Sequence, residues 1–111
     1  MEKKLVIIVI NKIELFDKLV ITMNDAGFGG TAINSSGLAQ ELAKKEDSHI
    51  IAALRAFMVA GRTENKTIFT VVPESKIPEL RNILVSIIGD LSEPNSGIIL
   101  SVPVDFSEGL I

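Results

Sequence analysis

Leu5-Val-Ile-Ile-Val-Ile10 and Ile68-Phe-Thr-Val-Val72 decide the fold of this chain. Each reads as an apolar strand; the first, apolar throughout and rich in β-branched residues, has the pattern of a central strand covered on both faces rather than a half-exposed one. Each is followed by a helical stretch and a second strand. After Ile10 the helical stretch runs from Lys12 to Ala26, and Thr31 to Ser35 reads as the next strand. After Val72 the helical stretch runs from Lys76 to Ile88, and Ile98 to Val104 reads as the last strand. Two strand-helix-strand halves flanking an insert predict a small sheet with two helices on one face.

Local chemistry supports these boundaries. Asn11 with Glu14 three positions on has capping-box character. Ile13, Phe16, Val20 and Met23 fall on one helical stripe, widened by Leu15 and Leu19. Gly27-Phe28-Gly29-Gly30 is a turn that launches the next strand. In the second half Ser75 is placed to cap, and Pro78 sits in the first turn, where a missing N–H is tolerated. Ile77, Leu80, Leu84, Ile87 and Ile88 form the second apolar stripe. The insert, approximately residues 38–66, loses the strand period. Leu38 and Leu42 suggest a helical turn, and Ile50, Ile51, Leu54, Phe57 and Met58 a short second helix.

With 111 residues the chain is the size of a single domain, residues 1–111. It is 47% hydrophobic, with a mean hydropathy of +0.40, which is high for a domain that leaves much of its surface in water. The excess apolar side chains need a second surface, and further copies of the same chain are the simplest one. A spanning helix needs roughly 20 apolar residues, far more than the Leu5–Ile10 run offers, so membrane insertion is not expected. No secretory signal is evident at the start, and the absence of cysteine excludes disulfides and fits a cytoplasmic protein. A net charge of −3 and the lack of Trp and Tyr argue against nucleic acid. After Arg81 the chain has no Lys or Arg, while Asp90, Glu93, Asp105 and Glu108 follow. A polyanion finds no cation there.

The Gly29-Gly-Thr-Ala-Ile-Asn-Ser-Ser-Gly37 run, the Pro94-Asn-Ser-Gly-Ile-Ile-Leu-Ser-Val-Pro-Val104 run and the order of elements around them resemble the nitrogen regulatory PII and PII-like signalling family. The resemblance covers almost the whole chain, through the order and spacing of both runs rather than one sharp motif. It implies an α+β, ferredoxin-like βαββαβ sandwich with a long insert, the T-loop, between strands 2 and 3. It implies a homotrimer with small-effector clefts between subunits, usually for adenine nucleotides. It also implies a partner, such as a membrane transporter or metabolic enzyme, controlled through the T-loop. On this basis Gly29, Gly30, Thr31, Ser36, Gly37, Asn95, Ser96 and Gly97 are the candidate effector-binding residues. Gly37 matches the T-loop base, and Asn95 to Gly97 the loop before the last strand.

The chain departs from that family where triphosphate is held. Ile98 stands where ATP-binding members have a lysine, Leu91-Ser-Glu-Pro94 carries no arginine, and the C-terminus is short and not basic. ATP binding in the usual family mode is therefore disfavoured, and a less charged effector, or none, fits better. The modified T-loop tyrosine is absent, since the chain has no Tyr.

Each candidate also has a plain structural reading. The glycines can serve turn geometry and close strand packing, and Asn95-Ser96-Gly97 can be an ordinary turn instead of an anion nest. Arg55, Phe57, Met58 and Arg62 are candidates for partner contact on the insert, against packing within the oligomer or plain solvation. His49, the single histidine, beside Glu46 and Asp47, gives a thin metal set, so no metal or required cofactor is expected. No nucleophile has a base to activate it, and no dinucleotide or Walker-type loop is present, so an enzyme is not expected. The alternatives are a metal-binding trimer similar to the divalent-cation tolerance family and a non-catalytic assembly protein.

Overall fold

The computed structural model describes residues 2–38, 41 and 64–110. Of the expected first insert turn, Leu38 and Glu41 are helical, the Glu41 backbone N–H donating to the Gly37 carbonyl at 2.9 Å; the expected second insert helix, and with it His49, Arg55, Phe57, Met58 and Arg62, lies outside the described residues. The described elements are β1 (Lys3–Ile10), α1 (Phe16–Asp25), β2 (Thr31–Ser35), β3 (Asn65–Pro73), α2 (Ile77–Ile88) and β4 (Gly97–Pro103). The four strands form one sheet in the order β2-β3-β1-β4, with every neighbouring pair antiparallel. That is the ferredoxin-like α+β sandwich: each helix carries the chain over one strand, and the two halves interlock through the central β1–β3 pair.

Side chains directly opposite in an antiparallel pair share a face. Ile8 is opposite both Ile68 and Ile99, so these mark the helix-covered face. Val6, Ile8 and Ile10 from β1, Ile68 and Val72 from β3, Leu19 and Met23 from α1, and Leu80, Leu84 and Ile88 from α2 form its buried core.

Both helices begin differently from the expectation. Each is entered through a tight 3-10 turn, Ile13–Leu15 before α1 and Glu74–Lys76 before α2, and neither has a side-chain cap at its first residue. A 3-10 turn advances fewer residues per turn than an α-helix, so it rotates the face that follows. The buried stripe of α1 is accordingly centred on Leu19 and Met23, with Leu15 and Phe16 packed beside them, and Val20 is left exposed. Ser75 lies inside its turn, while Pro78 occupies the first turn of α2 as expected. A lysine closes the other end of α2: Lys12 Nζ donates to the Ile88 carbonyl at 3.1 Å. A cation there also complements the helix dipole.

Against the expectation that β1 is covered on both faces, the described helices cover only one of them. Leu5, Ile7 and Val9 point away from the helices and are only half-buried. Both described helices lie on the opposite side; on this one Leu110 lines a hollow with Leu5, Phe69 and Val71. Ile33 on β2 and Ile98, Leu100 and Val102 on β4 share this second face through their register with Thr67, Val9, Ile7 and Leu5. They are exposed, Ile98 to 51% and Ile33 to 47%.

Candidate functional site at the insert end of the sheet

β1 ends at Ile10, which is paired with Lys66 on one side and Gly97 on the other, and β2 ends at Ser35, paired with Asn65. The roots of the insert and the loop leading into β4 therefore lie at the same end of the sheet. Of the candidate effector residues, Ser36 and Gly37 sit on the β2 side of this end, and Asn95, Ser96 and Gly97 on the β4 side. Three inter-strand steps separate the two sides, about 14 Å at ordinary strand spacing.

Gly29, Gly30 and Thr31 are not part of this end. They line an apolar cavity of about 160 Å³ between the C-terminal part of α1 and β2, with Met23, Phe28 and Ile68. Such walls suit an aliphatic group better than a phosphate. Gly30 has a strictly geometric reason to be glycine. Its φ is +145°, and a Cβ there would stand 2.6 Å from the Phe69 carbonyl oxygen. Gly29 has open space around it.

On the β4 side the loop 90–96 folds onto itself. Asp90 accepts from the Ser92 amide at 2.9 Å and from its hydroxyl at 2.8 Å. Those two hydrogen bonds, the backbone one foremost, hold the Asp90 carboxyl below its ordinary value, with a smaller contribution from Arg81. Ser96 is 1% exposed, and its one hydroxyl proton is shared between the Glu93 carbonyl at 2.8 Å and, more weakly, the Leu91 carbonyl at 3.3 Å. Its side chain serves the loop. Asn95 is exposed with a left-handed φ of 60°, which asparagine tolerates. A Cβ at Gly97 would stand 2.8 Å from the Val9 carbonyl oxygen, so this glycine lets β4 close on β1.

Between the two sides runs a polar network absent from the sequence expectations. Ser35 Oγ donates to Asn65 Oδ1, and Ser35 Oγ and Thr67 Oγ1 are 2.7 Å apart. A serine hydroxyl has one proton. Ser35 gives it to Asn65, so Thr67 must be the donor in the second bond. Asn65 Nδ2 then donates to Asn11 Oδ1 at 3.5 Å, and the Asn11 backbone N–H donates to the Ser96 carbonyl at 3.3 Å. Asn65 and Thr67 are 7% and 8% exposed. Leaving one such group unpaired costs about 1–3 kcal/mol. Beside the network, Lys66 Nζ donates to Asn34 Oδ1 and stands 5.2 Å from the Phe16 ring centre, tying β3 to the start of α1. Ser36 Oγ donates to Glu41 Oε2 at the outgoing root.

Asn65 reads as part of a polar loop in the sequence, and Thr67 falls between that loop and the strand expected from Ile68, whereas β3 begins at Asn65. Only the register Ser35↔Asn65 brings them together. The available signal is the alternation Asn65-x-Thr67 at a strand start, two polar side chains on one face.

No family model matches this chain, and no curated protein matches it. Solved structures do. A functionally unknown protein from Pediococcus pentosaceus ATCC 25745 aligns with a TM-score of 0.67 at 18% identity, over 99% of both chains. The B. subtilis GlnK–ATP complex aligns with a TM-score of 0.55 at 16% identity, over 93% of this chain and 82% of that one. At these identities the likeness is one of fold, and the fold is PII-like. Among the described residues, no helix is long and apolar enough to cross a membrane, and no group of three or more His, Asp or Glu gathers as a metal set.

Proposed function

We propose that this chain is a PII-like signalling protein that works as a homotrimer and not as an enzyme. A small effector binds in the clefts between subunits, and the insert carries the response to a partner protein such as a transporter or metabolic enzyme. The observation that carries this reading is the second sheet face, an apolar surface built from all four strands on a PII-like sandwich. A face of this kind is what a sheet-lined oligomer buries. The insert roots and the loop 90–96 share one sheet end, which puts both at the rim of such an assembly.

Charge narrows the effector. The solved GlnK neighbour holds ATP. Here the loop 90–96 contributes Asp90 and Glu93, and no Lys or Arg follows Arg81. A triphosphate would meet repulsion at this wall. The reading therefore favours an effector of low negative charge, such as a nucleoside, a nucleoside monophosphate or bicarbonate. Control of nitrogen metabolism and a cytoplasmic location belong to the same proposal.

Thermal-shift titration of the purified protein with ATP and magnesium, adenosine, adenosine monophosphate and bicarbonate tests the effector. The expected result is no shift with magnesium-ATP and a saturable rise with one of the less charged compounds. A strong rise with magnesium-ATP contradicts the charge argument.

A further inference from the structure

The polar network at the sheet end has a property that a set of separate hydrogen bonds lacks: it has a direction. Proton donation runs Thr67 to Ser35 to Asn65 to the Asn11 side chain, and the backbone N–H of the same Asn11 holds the Ser96 carbonyl. The amide of Asn65 is the joint. Its oxygen accepts on the insert-root side, and its nitrogen donates on the β1 side. If that amide turns over, its oxygen faces the oxygen of Asn11, so the bond is kept only if the Asn11 side-chain amide turns over with it, while the contact to Ser35 changes. The middle link thus has two discrete arrangements, and both flanks bias the choice between them.

The network also touches every strand at this end. Ser35 closes β2, Asn65 opens β3, Asn11 follows β1, and Ser96 precedes β4. Ser96 in turn holds Leu91 and Glu93, so the chain of contacts continues into the turn of the loop 90–96. The burial of Asn65, Thr67 and Ser96 keeps water from replacing a broken link cheaply.

We propose that this hydrogen-bonded bar couples the root of the insert to the loop 90–96, so that whatever reorders one shifts the other. It deepens the proposed function by naming the residues that regulate that site, and it rests on that reading for its biological use. The coupling itself is a property of the free protein and needs neither effector nor partner.

Amide hydrogen exchange on the full chain, read residue by residue, tests it without a ligand. Ser35→Ala removes the link on the insert side. The expected result is faster exchange at the Asn11 amide and through residues 91–97, by about fivefold or more. The Phe28 amide, bonded to the Met23 carbonyl at 2.9 Å away from the bar, keeps its wild-type rate. Ser96→Ala read from the other side speeds exchange at residues 65–67, because coupling is reciprocal. Thr67→Val keeps the shape and removes the first donor, and it serves in place of Ser35→Ala if that variant does not fold. Thr67→Ser restores the donor and the wild-type rates. Changes confined to each variant's own neighbours overturn the proposal. So does a uniform rise that includes Phe28, which marks global destabilisation instead of a coupled path.

Discussion

At Gly30 the backbone conformation and the Phe69 carbonyl oxygen at 2.6 Å both exclude a side chain. Gly30→Ala is therefore expected to cost about 2–4 kcal/mol, as strained backbone and overpacking combine. Gly29→Ala, with nothing near its Cβ, is expected to fall within about 0.5 kcal/mol of wild type. Urea denaturation of the two variants side by side checks the contrast; equal effects would contradict it. The pair also shows why the Gly29-Gly30 motif carries two meanings that its letters do not separate. Asp90 makes a prediction of a different kind. Its folded carboxyl lies below the ordinary value of 3.8. A depressed carboxyl contributes stability that is present above the unfolded pKa and is lost as pH falls through the folded one. Wild type should thus melt above Asp90→Ala at pH 6, and the gap should close as the pH is taken well below 3.8. A gap that is unchanged in acid would contradict the hydrogen-bonded Ser92 account.

At the scale of elements, the α2 terminus is held by a residue 76 positions earlier in the chain, Lys12. Lys12→Met keeps much of the stem and removes the ammonium, and is expected to cost about 1 kcal/mol in chemical denaturation. No loss would mean that water serves the Ile88 carbonyl equally well. This contact explains what a sequence reading reaches and what it misses. The apolar runs of β1 and β3 and the periodic leucines of α2 are local patterns, so strand and helix order follow from them directly. Leu84 reports its burial through spacing, whereas the unbroken run of β1 does not separate buried Ile8 from half-buried Ile7. The α1 stripe was displaced because a 3-10 entry at Ile13–Leu15 changes the rotation, and that turn leaves no compositional trace. The bar of Ser35, Asn65, Thr67 and Asn11 was invisible because its members meet only once the register of three strands is known. Gly37 and Asn95–Gly97, candidates by resemblance, lie at the same end of the sheet. Gly29 to Thr31 were grouped with them by motif, whereas the fold sets them beside an apolar cavity.

For the whole molecule, the decisive quantity is the apolar second face of the sheet. One chain has its described helices on the other side and leaves Ile33, Ile98, Leu100 and Val102 in water. Fully burying each such side chain is worth about 1.5–3 kcal/mol. Contact between copies of the chain would recover that gain, and the proposed trimer is the assembly taken to bury this face. Leu100→Glu places a charge in the middle of that surface and should shift the protein to a smaller species without unfolding the helix-covered core. Circular dichroism of the variant checks the fold, and loss of helical signal would show that the face is needed within one chain. The most direct test is the mass of the wild-type protein at micromolar concentration, by light scattering behind a sizing column. The account predicts three times the 12.0 kDa chain mass. A particle of 12.0 kDa, stable and folded, would contradict it.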